Sequence, residues 1–180
     1  MDVLAVKQYL DESNEYHLAR LLLILDAFTG SETRMKGITK LVKLDFLLRY
    51  PTYLEHALEL RNASTRNLEI EDYERMSIES SMVRYRYGPW DARYRGWLNL
   101  LVARRLLEVT VVGRTVEMRI TGSGALFAAE LRQTDEFEKF DTRVRSLRTH
   151  LDLGATSLTK FIYDAFPVLS SMRLGEEIIS

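Results

Sequence analysis

The chain of 180 residues contains no cysteine. Disulfides, thiolate zinc sites, iron–sulfur clusters and cysteine nucleophiles are excluded. A chain without cysteine fits a reducing, cytoplasmic setting. Only three prolines and nine glycines punctuate it, which favours helices. No apolar run, Leu21–Leu25 included, is long enough to span a bilayer. Met1-Asp2-Val3-Leu4 lacks the basic start and apolar stretch of a signal peptide. Neither sign of charge dominates, with 25 Lys and Arg against 26 Asp and Glu. That balance argues against a polybasic, histone-like mode of nucleic-acid binding and leaves room for a local basic patch. Hydrophobic residues are plentiful, at 46%, so the chain can build a core and is not mostly disordered. Its length suits one domain with extra elements at either end.

Local signals predict the elements. A helix runs from Glu15 to Phe28, capped by Ser13 or Asn14 and stopped at Gly30. Leu21–Leu25 makes it apolar nearly all round, as a buried helix requires. A second helix spans Ile38–Arg49, with Ile38, Leu41, Val42 and Leu48 as its apolar face. Pro51 ends it and opens a third, carrying Tyr53, Leu54, Ala57 and Leu58. Residues 55–80 hold seven acids against three arginines. They read either as a solvated face or as an interface for a basic partner. Met82–Tyr87 alternates like a strand, Gly88-Pro89 reads as a turn, and Asp91 can cap a helix over Ala92–Leu107. On that helix Tyr94, Trp97, Leu98, Leu101 and Val102 share one face. Strands Leu107–Val112 and Thr115–Ile120 flank Gly113-Arg114 at hairpin spacing. Thr121 caps the helix that follows.

Helix, helix, strand, helix and hairpin is the order of a winged-helix domain. The expected fold is mainly α with a small β wing, a winged-helix domain with additional N- and C-terminal helices. Residues 1–130 would form that domain. Residues 131–180 would form a helical extension packed on the domain or on a partner. In the extension, Phe137, Phe140, Val144, Leu147 and Leu151 make a seam of about two heptads, too short to stand alone. A last helix, Ser157–Ala165, turns Leu158, Phe161, Ile162 and Ala165 to one side and ends at Pro167.

Catalytic signatures are scarce. There is no phosphate loop of the G-x-x-x-x-G-K type. Gly122-x-Gly124 at a helix start reads as a tight turn before an anion site. His17, His56 and His150 have no ligand partner at metal spacing, and His17 falls in the buried helix. Glu136-Phe137-Glu138-Lys139 echoes a nuclease pattern, yet it lies in a helical heptad. Ser157-Leu158-Thr159-Lys160 lacks the companion motifs of the serine enzymes it mimics, and Ser157 reads as a helix cap. No catalytic residue, metal, cofactor or small-molecule substrate is expected.

Residues 81–105 stand out, with Arg84, Arg86, Arg93, Arg95, Arg104 and Arg105 against the single acid Asp91. Tyr85, Tyr87, Trp90, Tyr94 and Trp97 are interleaved. Arginine with aromatics suits phosphates and protein hot spots alike. Arg93, Gly96, Leu100 and Arg104 fall on the face opposite the apolar one. That stripe offers no side-chain amide or hydroxyl for base reading, and Leu100 between arginines suits a protein interface. Arg84, Arg86, Tyr87, Trp90, Arg93, Arg95, Leu100 and Arg104 are therefore candidates for contact with a partner or with DNA.

Three segments carry a resemblance. They are Leu41-Val42-Lys43-Leu44-Asp45-Phe46-Leu47-Leu48-Arg49-Tyr50-Pro51, Arg84-Tyr85-Arg86-Tyr87-Gly88-Pro89-Trp90-Asp91, and Leu158-Thr159-Lys160-Phe161-Ile162-Tyr163-Asp164-Ala165-Phe166-Pro167. Together they resemble the middle components of ABC-three-component systems, which overlap with the small third subunit of Lamassu anti-phage systems. The resemblance spans residues 15 to 167. It implies a non-enzymatic accessory subunit whose partners are an SMC-like ABC ATPase and an effector nuclease. The ATPase would sense foreign DNA, and the small subunit would help hold the effector inactive. Phe161, Tyr163 and Phe166 on the C-terminal helices are further partner-binding candidates. The alternative is a winged-helix transcriptional regulator that binds DNA as a dimer.

Overall fold

The computed structural model describes residues 13–30, 33–76, 82–85 and 88–178, without the side chains of Tyr73, Met76 and Tyr85. It is mainly helical, with a small antiparallel sheet. Among the described residues no helix is long and apolar enough to cross a membrane.

Helix α1, Asn14–Phe28, begins where the Ser13 hydroxyl accepts the Tyr16 N–H. Every residue from His17 to Leu25 is buried, so the helix forms the centre around which the others pack. Strand β1, Met35–Lys36, leads through Gly37 (φ +86°) into α2, Ile38–Arg49. Pro51 opens α3, Pro51–Glu59. A 3-10 turn at Arg66–Leu68 and α4, Asp72–Met76, follow. Helix α5, Tyr94–Ala103, precedes the hairpin of β4, Leu107–Val112, and β5, Thr115–Ile120, at the predicted bounds. Gly113 takes the turn at φ +61°. Counting β2 and β3 below, the larger sheet has the order β1-β5-β4, with Met35 opposite Met118. Thr121 caps α6, Gly122–Leu131, by accepting the Gly124 N–H. Helices α7, Asp135–Leu151, α8, Ala155–Ala165, and α9, Val168–Ser171, complete the chain.

Several expectations are corrected. Gly88-Pro89 is no turn. Strands β2, Val83–Tyr85, and β3, Gly88–Trp90, pair antiparallel with Arg84 opposite Pro89. A proline is tolerated because this sheet has only two strands and β3 lies at its edge. The other side of β2 is covered by the C-terminal segment. Arg84 N–H donates to Glu176 O, and Ile178 N–H to Met82 O. Helix α5 is shorter than expected at both ends: it starts at Tyr94 rather than Ala92, with Asp91 accepting the Arg93 N–H ahead of it, and it stops at Ala103 because Arg105 takes a left-handed backbone conformation (φ +59°) just past its end. Val102 leaves the apolar face and is exposed. The cap of α8 is Gly154, and Ser157 is an exposed residue inside the helix.

The heptad seam packs within the chain. Phe137, Phe140, Val144, Leu147 and Leu151 are all buried, where α7 lies against α1 and α2. Helix α8 packs on α2 and α3. The acids of residues 55–80 are largely matched from within. Glu55 pairs with Arg75, Glu74 with Arg143, and Glu71 with Lys139.

Candidate interaction surface

Helix α2 is buried on every side from Leu41 to Arg49, its charged residues included. Lys43, Asp45 and Arg49 are each at most 1% exposed. The amphipathic face expected from Ile38, Leu41, Val42 and Leu48 therefore understates the helix. Such charges fold only if they are matched. Arg20 of α1 grips Asp45 with both arms, Nε to Oδ1 at 2.5 Å and Nη2 to Oδ2 at 3.0 Å. Tyr94 of α5 donates its hydroxyl to Asp45 Oδ2 at 2.5 Å. Burial and the neighbouring Asp45 charge push the Tyr94 phenol well above its usual range, so it stays a donor. Arg49 Nη1 reaches Asp91 Oδ2 at 3.2 Å. Burial alone would raise the Asp91 carboxyl. Hydrogen bonds from the Arg93 side chain and backbone, with the Arg49 charge, outweigh it and bring it down to about 2. Burial lowers the Lys43 ammonium to about 8. Its Nζ sits beneath Gly88, 3.7 Å from where a β-carbon would be.

Intramolecular bonds already occupy several candidates. Asp91 holds Arg93 through Nε at 3.0 Å and Nη2 at 2.7 Å, and the guanidinium lies 4.8 Å over the Trp97 ring. Arg84 Nε donates to Leu169 O at 3.2 Å and anchors α9 to β2. Arg104 is exposed and pairs with Glu15 at 3.3 Å. Phe166 is a core residue, its ring 4.7 Å from that of Tyr53, and is withdrawn as a surface contact. Phe161 and Tyr163 are half-buried. Arg86 and Tyr87 lie outside the described residues, as does Met1–Leu4.

Arg95 and Leu100 remain exposed on α5, and among the described residues Arg95 makes no ion pair. The stripe of Arg93, Gly96, Leu100 and Arg104 is exposed throughout. The exposed face is wider than that stripe, however, and includes Asn99, one turn beyond Arg95. A single line of residues at helical spacing does not include Asn99, because the exposed face of α5 is broader than one line.

The motifs weighed for chemistry take structural roles. His17 is buried, with its ring 4.3 Å from that of Trp97, whose Nε1 donates to Asn14. Among the described residues no three His, Asp or Glu side chains gather as a metal site. Lys139 pairs with Glu71 and Glu69 rather than with its own neighbours. A β-carbon at Gly124 would meet Leu106 O at 2.2 Å, so this glycine allows α6 to cross the chain entering β4.

Residues 41–49, 88–90 and 158–165, from three separated segments, converge. Helix α2 touches β3 and α8, and α8 touches β3. Above this junction run two clefts that share Thr39. One, of about 500 Å³, is lined by Ile38, Thr39, Val42, Gly88, Pro89, Trp90, Ala92 and Arg95. The other, of about 470 Å³, is lined by Thr39, Ala155, Thr156, Thr159 and Lys160. Neither lining includes an acid; Arg95 lines the first and Lys160 the second. A third, mostly apolar cleft of about 280 Å³ lies between α1, α5, α6 and α7, lined among others by Leu22, Leu101, Phe127 and Phe137. Trp90, half-buried, is thus a groove wall as well as a neighbour of Tyr94.

No protein family, no characterised protein and no solved structure matches the chain.

Proposed function

We propose that the chain is a non-catalytic winged-helix accessory subunit of a cytoplasmic complex built on an SMC-like ABC ATPase. In that complex it links the ATPase to an effector nuclease and acts against foreign DNA. The observation that carries the reading is the convergence of α2, β3 and α8. Parts of the three separated segments that resemble ABC-three-component middle components pack against one another, and beside them open two clefts that share Thr39, one lined by Trp90 and Arg95 and the other by Lys160. Neighbouring clefts with apolar walls, Trp90 and a cation each suit a partner segment that brings an apolar anchor and acidic neighbours. The winged-helix assignment is supported by the succession α1, β1, α2, α5, β4, β5 and by the placing of β5 between β1 and β4. Residues 50–93 then read as an insertion between the second and third helices of that motif.

Affinity capture of the tagged chain, co-expressed with its genomic neighbours, tests the reading. Mass spectrometry is expected to find a large coiled-coil ATPase. Arg95→Glu combined with Lys160→Glu is expected to release it, and Leu100→Asp to retain it. Capture of the chain without any such ATPase refutes the adaptor reading. Release by Leu100→Asp alone moves the interface to the α5 stripe.

One observation favours the second reading, a DNA-binding regulator. Arg95 and Asn99 are exposed one turn apart on the helix that would enter a groove, and side-chain amides read adenine. That reading requires the isolated chain to bind one duplex far better than unrelated ones, with affinity falling steeply in salt.

A further inference from the structure

The apolar cleft between α1, α5, α6 and α7 opens at Ser13, the first described residue, which is part of its lining. Ser13 caps α1 with an extended backbone (φ −75°, ψ 119°), so the chain ahead of it leaves the axis of α1 beside the cleft. The floor is apolar and buried, from Leu18 and Leu22 of α1 to Leu101 of α5 and Phe137 of α7. One wall is bare. Helix α6 buries only Gly124 and Ala128, and its Phe127 lines the cleft while 44% exposed. The cleft holds about 280 Å³. That is below the range of about 300–1,000 Å³ usual for small-molecule pockets, and it suits a few apolar side chains instead. Two acids line it. Glu15 is paired with Arg104, whereas Glu136 is exposed and makes no ion pair among the described residues.

We propose that residues 1–12 of the same chain fill this cleft. They lie outside the described residues and join them at Ser13, so the covalent link holds them beside the cleft at high effective concentration. Val3, Val6 and Leu10 recur among them at spacings of three and four, the stripe that an amphipathic helix lays into an apolar groove. As a helix, the segment would reach about 18 Å. Lys7 is its only base and lies four residues after Val3, next to that stripe. It is the counter-charge for Glu136. The acids Asp2, Asp11 and Glu12 fall at the ends of the segment. This docking rests on the cleft and the segment alone, and it is independent of the function proposed above.

Amide hydrogen exchange on the full chain tests the docking. Residues 3–10 are expected to be protected at least about tenfold. Phe127→Glu is expected to remove that protection. Leu126→Glu, at a more exposed position outside the lining, is expected to keep it. Glu136→Lys is expected to weaken the protection several-fold, and adding Lys7→Glu to restore it, a rescue that lost packing alone would not show. A circular-dichroism melt checks that each variant is folded. The chain has no cysteine, so Val6→Cys with Phe127→Cys supplies the only two thiols, and mild oxidation is expected to join them within one chain. Unprotected residues 3–10 in the wild type, protection that survives Phe127→Glu, charge reversal without rescue, or a disulfide that joins two chains instead overturns the proposal.

Discussion

The Arg20–Asp45–Tyr94 cluster makes a sharp energetic prediction. Asp45→Asn keeps the shape and one oxygen that still accepts from Tyr94 and Arg20 Nη2, removes the charge, and turns an amide N–H toward the Arg20 Nε–H that Oδ1 accepts. Arg20 is then left fully buried without the Asp45 charge. Breaking one half of a buried pair costs about 3–5 kcal/mol, a large share of the about 5–15 kcal/mol that holds a domain together. In urea, with a slope of about 2 kcal/mol per molar, the midpoint is expected to fall by about 2 M with the slope unchanged. Arg20→Met combined with Asp45→Leu and Tyr94→Phe removes both charges and the orphaned hydroxyl together. That triple variant is expected within about 1 kcal/mol of wild type, since a packed apolar replacement avoids the desolvation of the ions. Equilibrium denaturation followed by circular dichroism measures each variant. A loss of less than about 1 kcal/mol for Asp45→Asn, or a triple variant as weak as the sum of its parts, would refute the account.

Lys43 predicts a pH effect. Its folded ammonium titrates near 8 against 10.5 when unperturbed, so above pH 8 the unfolded chain binds more protons. Stability of wild type relative to Lys43→Met is expected to rise by about 1 kcal/mol per pH unit between pH 8 and 9.5, and parallel pH profiles would disprove it. Two glycines two residues apart should behave oppositely. Gly124→Ala drives its β-carbon into Leu106 O and Ile120 and is expected to cost about 2–3 kcal/mol in urea denaturation. Gly122→Ala meets nothing within 4 Å and is expected to be neutral or to stabilise by a few tenths of a kcal/mol.

Elements with local punctuation were legible in the sequence. Ser13, Pro51, Gly113-Arg114 and Thr121 mark their ends by capping or turn chemistry that acts within a few residues. Helices α1 to α3 and the hairpin accordingly fall at or within a residue of the predicted bounds. Gly88-Pro89 misled because the pairing that makes it a strand is set by β2, and β2 is held in turn by residues 175–178. The candidate surface was legible in composition but not in position. Arginine and aromatic content singled out residues 81–105, and Asp91 then engages Arg93 at the surface while Arg84 is held by Leu169 O.

By itself the sequence determined that the chain builds a helical core without cysteine chemistry, where α1 and α2 begin and end, and that a hairpin follows α5. These are consequences of side-chain period and short-range hydrogen bonding. Only the tertiary structure decided that Lys43, Asp45 and Arg49 are interior. The burial of Asp45 and Arg49 depends on Arg20, Tyr94 and Asp91, which lie 25, 49 and 42 residues from Asp45, Asp45 and Arg49 respectively. It also decided that α7 covers α1 and α2, and that α2, β3 and α8 meet. A charge spaced for a helix surface reads as solvated until a partner from elsewhere in the chain is brought within hydrogen-bond reach.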